Sequence, residues 1–274
     1  VTGAGAVDAY LAHLSRSGYR PRTVAARRQC LRAFAETVAG GALAAARSDV
    51  EAFLGRPLAP ESRRAYRAHL RAFYGWCAAE GLVEEDPTAR VAPVRVPRAV
   101  PRPVSDDDLN LALARCDRRM RAWLLLMALA GLRCIEVANL RPVDVMHTPT
   151  GPLLHLRECK GGGQATLPAH PAIVEALGEL PVRNGAWWEC SPGYVSKEVS
   201  LFLRAAGVNA TAHRLRHWAG TTWYRASGHD LLATSQLLRH ASVHTTQVYA
   251  QLDPTRPAEV VRAVNVATGG SRAG

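Results

Sequence analysis

Residues 87–103 read PTARVAPVRVPRAVPRP, and they decide how the rest of the chain divides. Five prolines here remove backbone donors and forbid a regular element, so the segment is expected to run extended and fairly stiff. Its four arginines favour a course along a phosphate backbone. The expected division is a domain over 1–86, a linker over 87–104 and a second domain over 105–274. A chain of 274 residues suits two domains, each large enough to bury a core.

Working toward the N-terminus, Val7, Tyr10, Leu11 and Leu14 recur with the period of an amphipathic helix. Pro21 opens a second helix that buries Val24, Leu31, Phe34 and Val38, and Gly40–Gly41 stops it. Ser48 and Glu51 read as a capping box for a short helix through Leu54. Tyr66, Leu70, Phe73, Tyr74 and Cys77 mark a long fourth helix ended by Gly81, which makes an all-α domain. Arg63, Arg64, Arg67 and Arg71 crowd the face opposite that apolar stripe, with no acids between them. A solvated face and a phosphate-contacting face are both open for them; Arg95 and Arg98 of the linker extend the second reading.

Toward the C-terminus, Ser105 and Asp108 cap a helix, and Met120–Ala130 is apolar nearly all round, as in a central buried helix. Residues 153–168 suggest a small β-hairpin closed by a glycine-rich turn. Helical segments punctuated by Gly207, Gly228 and Pro254 run on to Val266. The fold class is therefore mainly α, with an all-α first domain and a second helical domain carrying a small antiparallel β-sheet.

The net charge is +11, from 34 basic and 23 acidic residues. The excess lies in both halves: residues 1–98 hold 15 arginines and 9 acids, and residues 99–274 hold 19 basic and 14 acidic residues. Two folded basic surfaces, rather than a basic tail, imply a polyanionic partner, nucleic acid before anionic membrane. No apolar run approaches the ~18 residues of a membrane span, and no signal peptide is visible, so a soluble intracellular protein is expected. Six cysteines without a C-x-x-C pair read as reduced core residues. Only two lysines, Lys160 and Lys197, survive in an arginine-rich background.

Four stretches carry candidate chemistry. ALAGLRCIEVANLRPVDV, 128–145, places Arg133 at the end of an apolar helix with Glu136 three residues on. A structural ion pair explains that couple as readily as a functional one. AHRLRHWAGTTW, 212–223, puts His213 and Arg216 on one helical face, with His217 a turn beyond His213. The histidine pair lacks the glutamate of H-E-x-x-H and has Arg-Leu-Arg between its members, so it favours an anion over zinc, and no metal or cofactor is expected. LRECKGGGQATLP, 156–168, holds Lys160 in the hairpin. LLRHASVHTTQVYAQLD, 237–253, breaks a leucine run with His240 and places Tyr249 nine residues later. A core tyrosine and a nucleophile are both open for it.

In this order and spacing the four stretches resemble the catalytic boxes of the tyrosine recombinases, the phage integrases and Xer-type recombinases. The resemblance implies that Arg133 and Arg216 clamp a scissile phosphate, with Glu136 supporting them. It makes Lys160 the hairpin lysine, His213 and His240 the two histidines, and Tyr249 the nucleophile. It further implies a SAM-like core-binding domain, a C-shaped clamp on double-stranded DNA, and a homotetramer exchanging strands at attachment sites through a Holliday junction. A directionality factor, no membrane partner, and the bacterial cytoplasm or nucleoid complete the expectation. A phage or mobile-element integrase is favoured, either a simple one or one trimmed of the arm-binding domain of larger integrases. A Xer-like resolution recombinase, a type IB topoisomerase and a catalytically silent DNA-binding regulator remain the alternatives. Two departures stand out: Lys160 is followed by Gly-Gly-Gly-Gln-Ala where the family often has Lys-Gly-Asn-Lys-x-Arg, and the family's Leu-Gly-His is Leu-Arg-His, with Arg239. Val260, Val261 and Val264 offer a short apolar face expected to dock on a neighbouring protomer.

Overall fold

The computed structural model describes residues 3–96, 102–159, 163–239 and 246–250, without the side chains of Val248 and Ala250. The chain divides into two units, Val1–Arg98 and Ala99–Gly274. Arg98, Lys160, His240 and the apolar face at 260–264 lie outside the described residues.

In the first unit α1 (Gly3–Arg16), α2 (Pro21–Ala35), α3 (Arg47–Gly55) and α4 (Pro60–Ala79) pack around one core. Leu70, Phe73, Tyr74 and Cys77 of α4 are fully buried, as the periodicity requires. The Tyr74 hydroxyl donates to the Ala42 carbonyl at 2.6 Å, so a buried phenol is satisfied. Phe34 meets Phe53 edge-on, with ring centroids 5.1 Å apart. Truncating either ring to alanine removes packing worth about 3–5 kcal/mol.

Three boundaries differ from the sequence reading. Helix α2 ends at Ala35, before Gly40–Gly41, and the glycines instead adopt φ of 85° and 80° on the way into a short 3₁₀ turn at Ala42–Ala44. Val38 is buried all the same, from the turn rather than the helix. Helix α3 is capped two residues earlier than Ser48–Glu51 implied: the Asp49 carboxylate accepts from the Ala46 amide at 2.8 Å, and Glu51 pairs with Arg47. The expected linker is not extended from its first residue. Residues 87–90 form a turn, Asp86 accepts from Thr88, and Val91 is buried in the first unit's core.

The second unit begins with α5 (Asp106–Arg115), capped by the Ser105 hydroxyl accepting from the Asp108 amide at 3.1 Å. Helix α6 (Arg118–Leu129) is buried nearly all round and is followed by α7 (Cys134–Asn139). The sheet has order β1-β2-β3, from Val145–Thr148, Gly151–Leu156 and Ala165–Pro168, all antiparallel. The expected hairpin is β2–β3, with Leu153 opposite Pro168 and Leu156 opposite Ala165. Strand β1 was not anticipated; its four residues, Val-Met-His-Thr, lack a clean buried–exposed alternation. Helices α8 (Pro171–Gly178), α9 (Pro192–Ala205), α10 (Ala212–Ala226), α11 (Leu231–Leu238) and α12 (Gln247–Ala250) follow. Trp123 of α6 meets Trp188 edge-on in the core, and the Trp188 indole donates to the Val137 carbonyl at 2.9 Å. That contact anchors α7, which carries part of the site. Among the described residues no helix is long and apolar enough to cross a membrane.

Candidate active site

The site assembles where the end of α6 meets the start of α10. Gly131 follows α6 at φ 57°, a conformation glycine adopts without cost. A Cβ there would also come within 2.9 Å of the Trp223 ring, so both backbone and space select glycine. Arg133 then stands at the N-cap of α7 with Glu136 in its first turn. One Glu136 oxygen accepts from the Arg133 amide at 2.8 Å and the other from its guanidinium at 2.9 Å. The anticipated pair is thus formed, with the carboxylate fully buried and the arginine side chain 20% exposed. The arginine keeps an open edge.

Arg216 lies on α10 and is buried. Its guanidinium donates to the carbonyls of Gly131 and Leu238, which binds α10 to both the Arg133 box and the end of α11. Burial first, then the Arg133 and Arg239 charges, pull Arg216 down to about 9, with Glu136 opposing; it remains a cation at neutral pH. Arg239 caps α11 in the left-handed region and donates to Glu136 at 2.8 Å. Burial alone would raise the Glu136 carboxyl, but Arg239, the Arg133 amide and Arg216 together hold it below the ordinary value. Three guanidiniums therefore surround one carboxylate, an anion-seeking arrangement.

Tyr249, on α12, is 2% exposed and lies flat on α10. Gly220 makes this possible: a Cβ there would run into the tyrosine ring. The tyrosine hydroxyl is 3.3 Å from Nδ1 of His217, and His217 in turn meets His213 edge-on at 4.5 Å between centroids. Burial, followed by the charges of His213, Arg216 and Arg214, lowers His217 to about 4, so it is neutral at physiological pH. Burial raises the Tyr249 phenol, and Arg216 and Arg133 pull against that rise. Cys159, immediately before Lys160, also borders the cluster: burial and then the Glu136 charge raise its thiol.

Of the seven anticipated catalytic residues, the described structure brings together Arg133, Glu136, Arg216 and Tyr249, with His213 reached through His217. Lys160 and His240 lie outside it. The sequence reading missed His217 as a partner of the tyrosine and Gly220 as its seat. A glycine inside a helix was a visible signal for the second; nothing in the spacing announced the first.

The anticipated DNA-binding residues separate into two kinds. Arg64 and Arg71 are exposed, as is Arg95. Arg67 is committed to the Val91 carbonyl at 2.6 and 3.2 Å, and Arg63 reaches the Arg56 carbonyl at 3.3 Å. Among the described residues no cluster of His, Cys, Asp and Glu could hold a metal ion.

The model of the phage integrase family matches residues 104–256. The chain belongs to that family. As a tyrosine recombinase it has relatives along most of its length. It is 27% identical over 97% of the chain to tyrosine recombinase XerC 2 of Ralstonia nicotianae, covering 86% of that protein. It is 30% identical to tyrosine recombinase XerD of Xanthomonas axonopodis pv. citri over 69% of the chain and 71% of that protein. The fold is shared with a lambda integrase dimer bound to a COC′ core site, at TM-score 0.74 and 18% identity over 91% of this chain and 77% of that one. XerH recombinase bound to a palindromic difH substrate gives TM-score 0.69 at 17% identity, over 88% and 79%. The enzyme is thus a DNA strand transferase of the recombinase kind.

Proposed function

We propose that this recombinase cleaves and rejoins DNA at attachment sites through a 3′-phosphotyrosyl intermediate, as a phage or mobile-element integrase. The single observation that carries the chemistry is the placement of a phenol against a neutral histidine, on the same helix as a buried arginine bonded to the Gly131 carbonyl, two residues before Arg133 of the Arg133–Glu136 pair. In the step proposed, Tyr249 Oη bonds to phosphorus as the P–O5′ bond breaks. The phenolic proton passes to His217 Nδ1, in the tautomer that leaves this nitrogen open. Arg133 and Arg216 hold the charge that grows on the non-bridging oxygens. Lys160 protonates the departing 5′ oxygen, a task suited to an ammonium on a hairpin, since the guanidiniums of Arg133 and Arg216 are engaged with the non-bridging oxygens. His213 backs His217, and His240 donates to the phosphate. The phosphotyrosyl bond conserves the energy of the broken one, so rejoining requires no ATP.

The larger scheme is proposed with it. Residues 1–86 form the core-binding domain, 87–104 the linker and 105–274 the catalytic domain, closing as a clamp on duplex DNA. Four protomers exchange strands through a Holliday junction in the bacterial cytoplasm or nucleoid, with a directionality factor choosing the outcome. Arg64, Arg71 and Arg95, exposed and basic, are the DNA-backbone contacts best placed for that role. A Xer-like resolution role is the second reading, favoured by the XerC and XerD names of relatives spanning much of the chain. Sequencing new junctions formed with genomic and episomal DNA separates insertion from resolution.

The direct test is Tyr249→Phe. The variant is expected to bind DNA as wild type does and to yield no protein–DNA adduct on a denaturing gel, since only the attacking oxygen is gone. An adduct formed by this variant refutes the assignment.

A further inference from the structure

One side chain in the cluster departs from the boxes the chain resembles. Arg239 stands where the Leu-Gly-His pattern has glycine, and its backbone, at φ 53° and ψ 47°, is the one glycine suits. Non-glycine residues avoid this region. A long side chain kept there invites an explanation in what it touches. Its Nη2 donates to Glu136 Oε2 at 2.8 Å and to the Gly131 carbonyl at 3.3 Å, and its Nη1 donates to the Leu237 carbonyl at 2.7 Å. The side chain is only 9% exposed. Its Nε has no hydrogen-bond partner among the described residues. A guanidinium buried to this degree is costly unless a carboxylate meets it, and Glu136 does.

We propose that Arg239 is a positioning residue for strand cleavage, acting on Arg133 through Glu136. This rests on the recombinase chemistry proposed above. Glu136 Oε1 takes the Arg133 guanidinium at 2.9 Å, whereas Oε2 is divided between the Arg133 amide and Arg239. Without Arg239 the carboxylate is free to turn and pair with both arms of the Arg133 fork, which cancels the charge that faces a phosphate. With Arg239 in place Arg133 gives up one arm and keeps the rest of its fork open. The same side chain reaches Gly131, whose carbonyl also holds Arg216. One residue at the C-cap of α11 thereby sets both phosphate-clamping arginines. Three guanidiniums against one carboxylate leave two positive charges, matching the two negative charges of a pentacovalent phosphate.

The test is a double-variant cycle on wild type, Arg239→Gly, Glu136→Gln and the pair, with Arg239→Lys beside them. Glycine suits the backbone at 239, so any deficit belongs to the lost guanidinium. The probe is a nicked duplex carrying the junction sequence recovered from the recombination assay, which traps the covalent adduct. At saturating duplex, Arg239→Gly is expected to slow adduct formation about 10–100-fold, the range for residues that orient site ligands. Duplex affinity should stay unchanged, and lysine should restore part of the rate. In the Glu136→Gln background the further loss should fall below about threefold, because the partner is already gone. A wild-type rate for Arg239→Gly, or fully multiplicative losses, overturns the proposal. Unfolding midpoints of the same four proteins measure the contact without DNA. Strictly additive midpoints overturn it as well, even where the wild type forms no adduct. A wild type that forms no adduct while the midpoints show coupling counts against the recombinase chemistry instead.

Discussion

At Gly220 one absent methyl group decides where the tyrosine lies. Alanine is the better helix former by about 0.8–1.0 kcal/mol, so helix propensity alone would favour Gly220→Ala on α10. Its Cβ would nevertheless run into the Tyr249 ring. The expected outcome is a lowered melting temperature, since overpacking costs about 1–3 kcal/mol, together with a loss of adduct formation; full activity would show that Tyr249 works from another seat. His217 gives a second handle, through pH. Its folded pKa is about 4, lowered by burial and by His213, Arg216 and Arg214, against about 6.5 in an unfolded chain. The unfolded chain thus takes up the proton first as pH falls. Stability from this group is complete above about 6.5 and is lost progressively toward 4. Denaturant melts of DNA-free protein should show that slope, and His217→Gln should flatten it. At this scale the sequence exposed the identity of the charged groups, because arginine at the end of an apolar helix needs a partner within reach. It did not expose which histidine faces the phenol, because that depends on how α12 lies across α10, a contact between segments some thirty residues apart.

Helix α4 illustrates the same division between pattern and contact. Its apolar stripe was legible from period alone: Leu70, Phe73, Tyr74 and Cys77 are buried as the spacing implies, and Tyr66 is half-buried against the same core. The four arginines opposite that stripe looked equivalent in the sequence, yet Arg63 and Arg67 bend to backbone carbonyls while Arg64 and Arg71 face solvent. Reversing Arg64 and Arg71 to glutamate should therefore flatten the salt dependence of DNA binding, read as log affinity against log salt. A slope identical to wild type would leave that face merely solvated. The linker was misjudged at its first residues for a related reason. Proline content predicts extension, but Thr88 and Val91 find burial on the first unit, and Arg67 takes the Val91 carbonyl. Strand β1 escaped notice because four residues, three half-buried and one exposed, carry too little period to separate from a loop.

For the whole molecule, the proline-rich stretch and the spread of charge announce two basic parts, and the chain divides into two units whose boundary, after Arg98, falls inside that stretch. Chemistry proposed for such a protein needs no divalent ion, since the guanidiniums of Arg133 and Arg216 occupy the place a metal would take. Recombination should persist in excess EDTA; activity that returns only on adding Mg²⁺ would refute the scheme.

Trp223 adds a practical consequence. Its indole packs beside Tyr224, Leu238 and Tyr249 and sits against Gly131, whose missing Cβ makes room for it. Any displacement of the tyrosine segment strips apolar cover from this ring and admits water to it. Of the six tryptophans in the chain, this one packs, among the described residues, on the small cluster beneath the tyrosine. The protein thus carries its own optical probe: a red shift of intrinsic emission on mixing with duplex would time the uncovering of the Tyr249 phenol, with no dye attached.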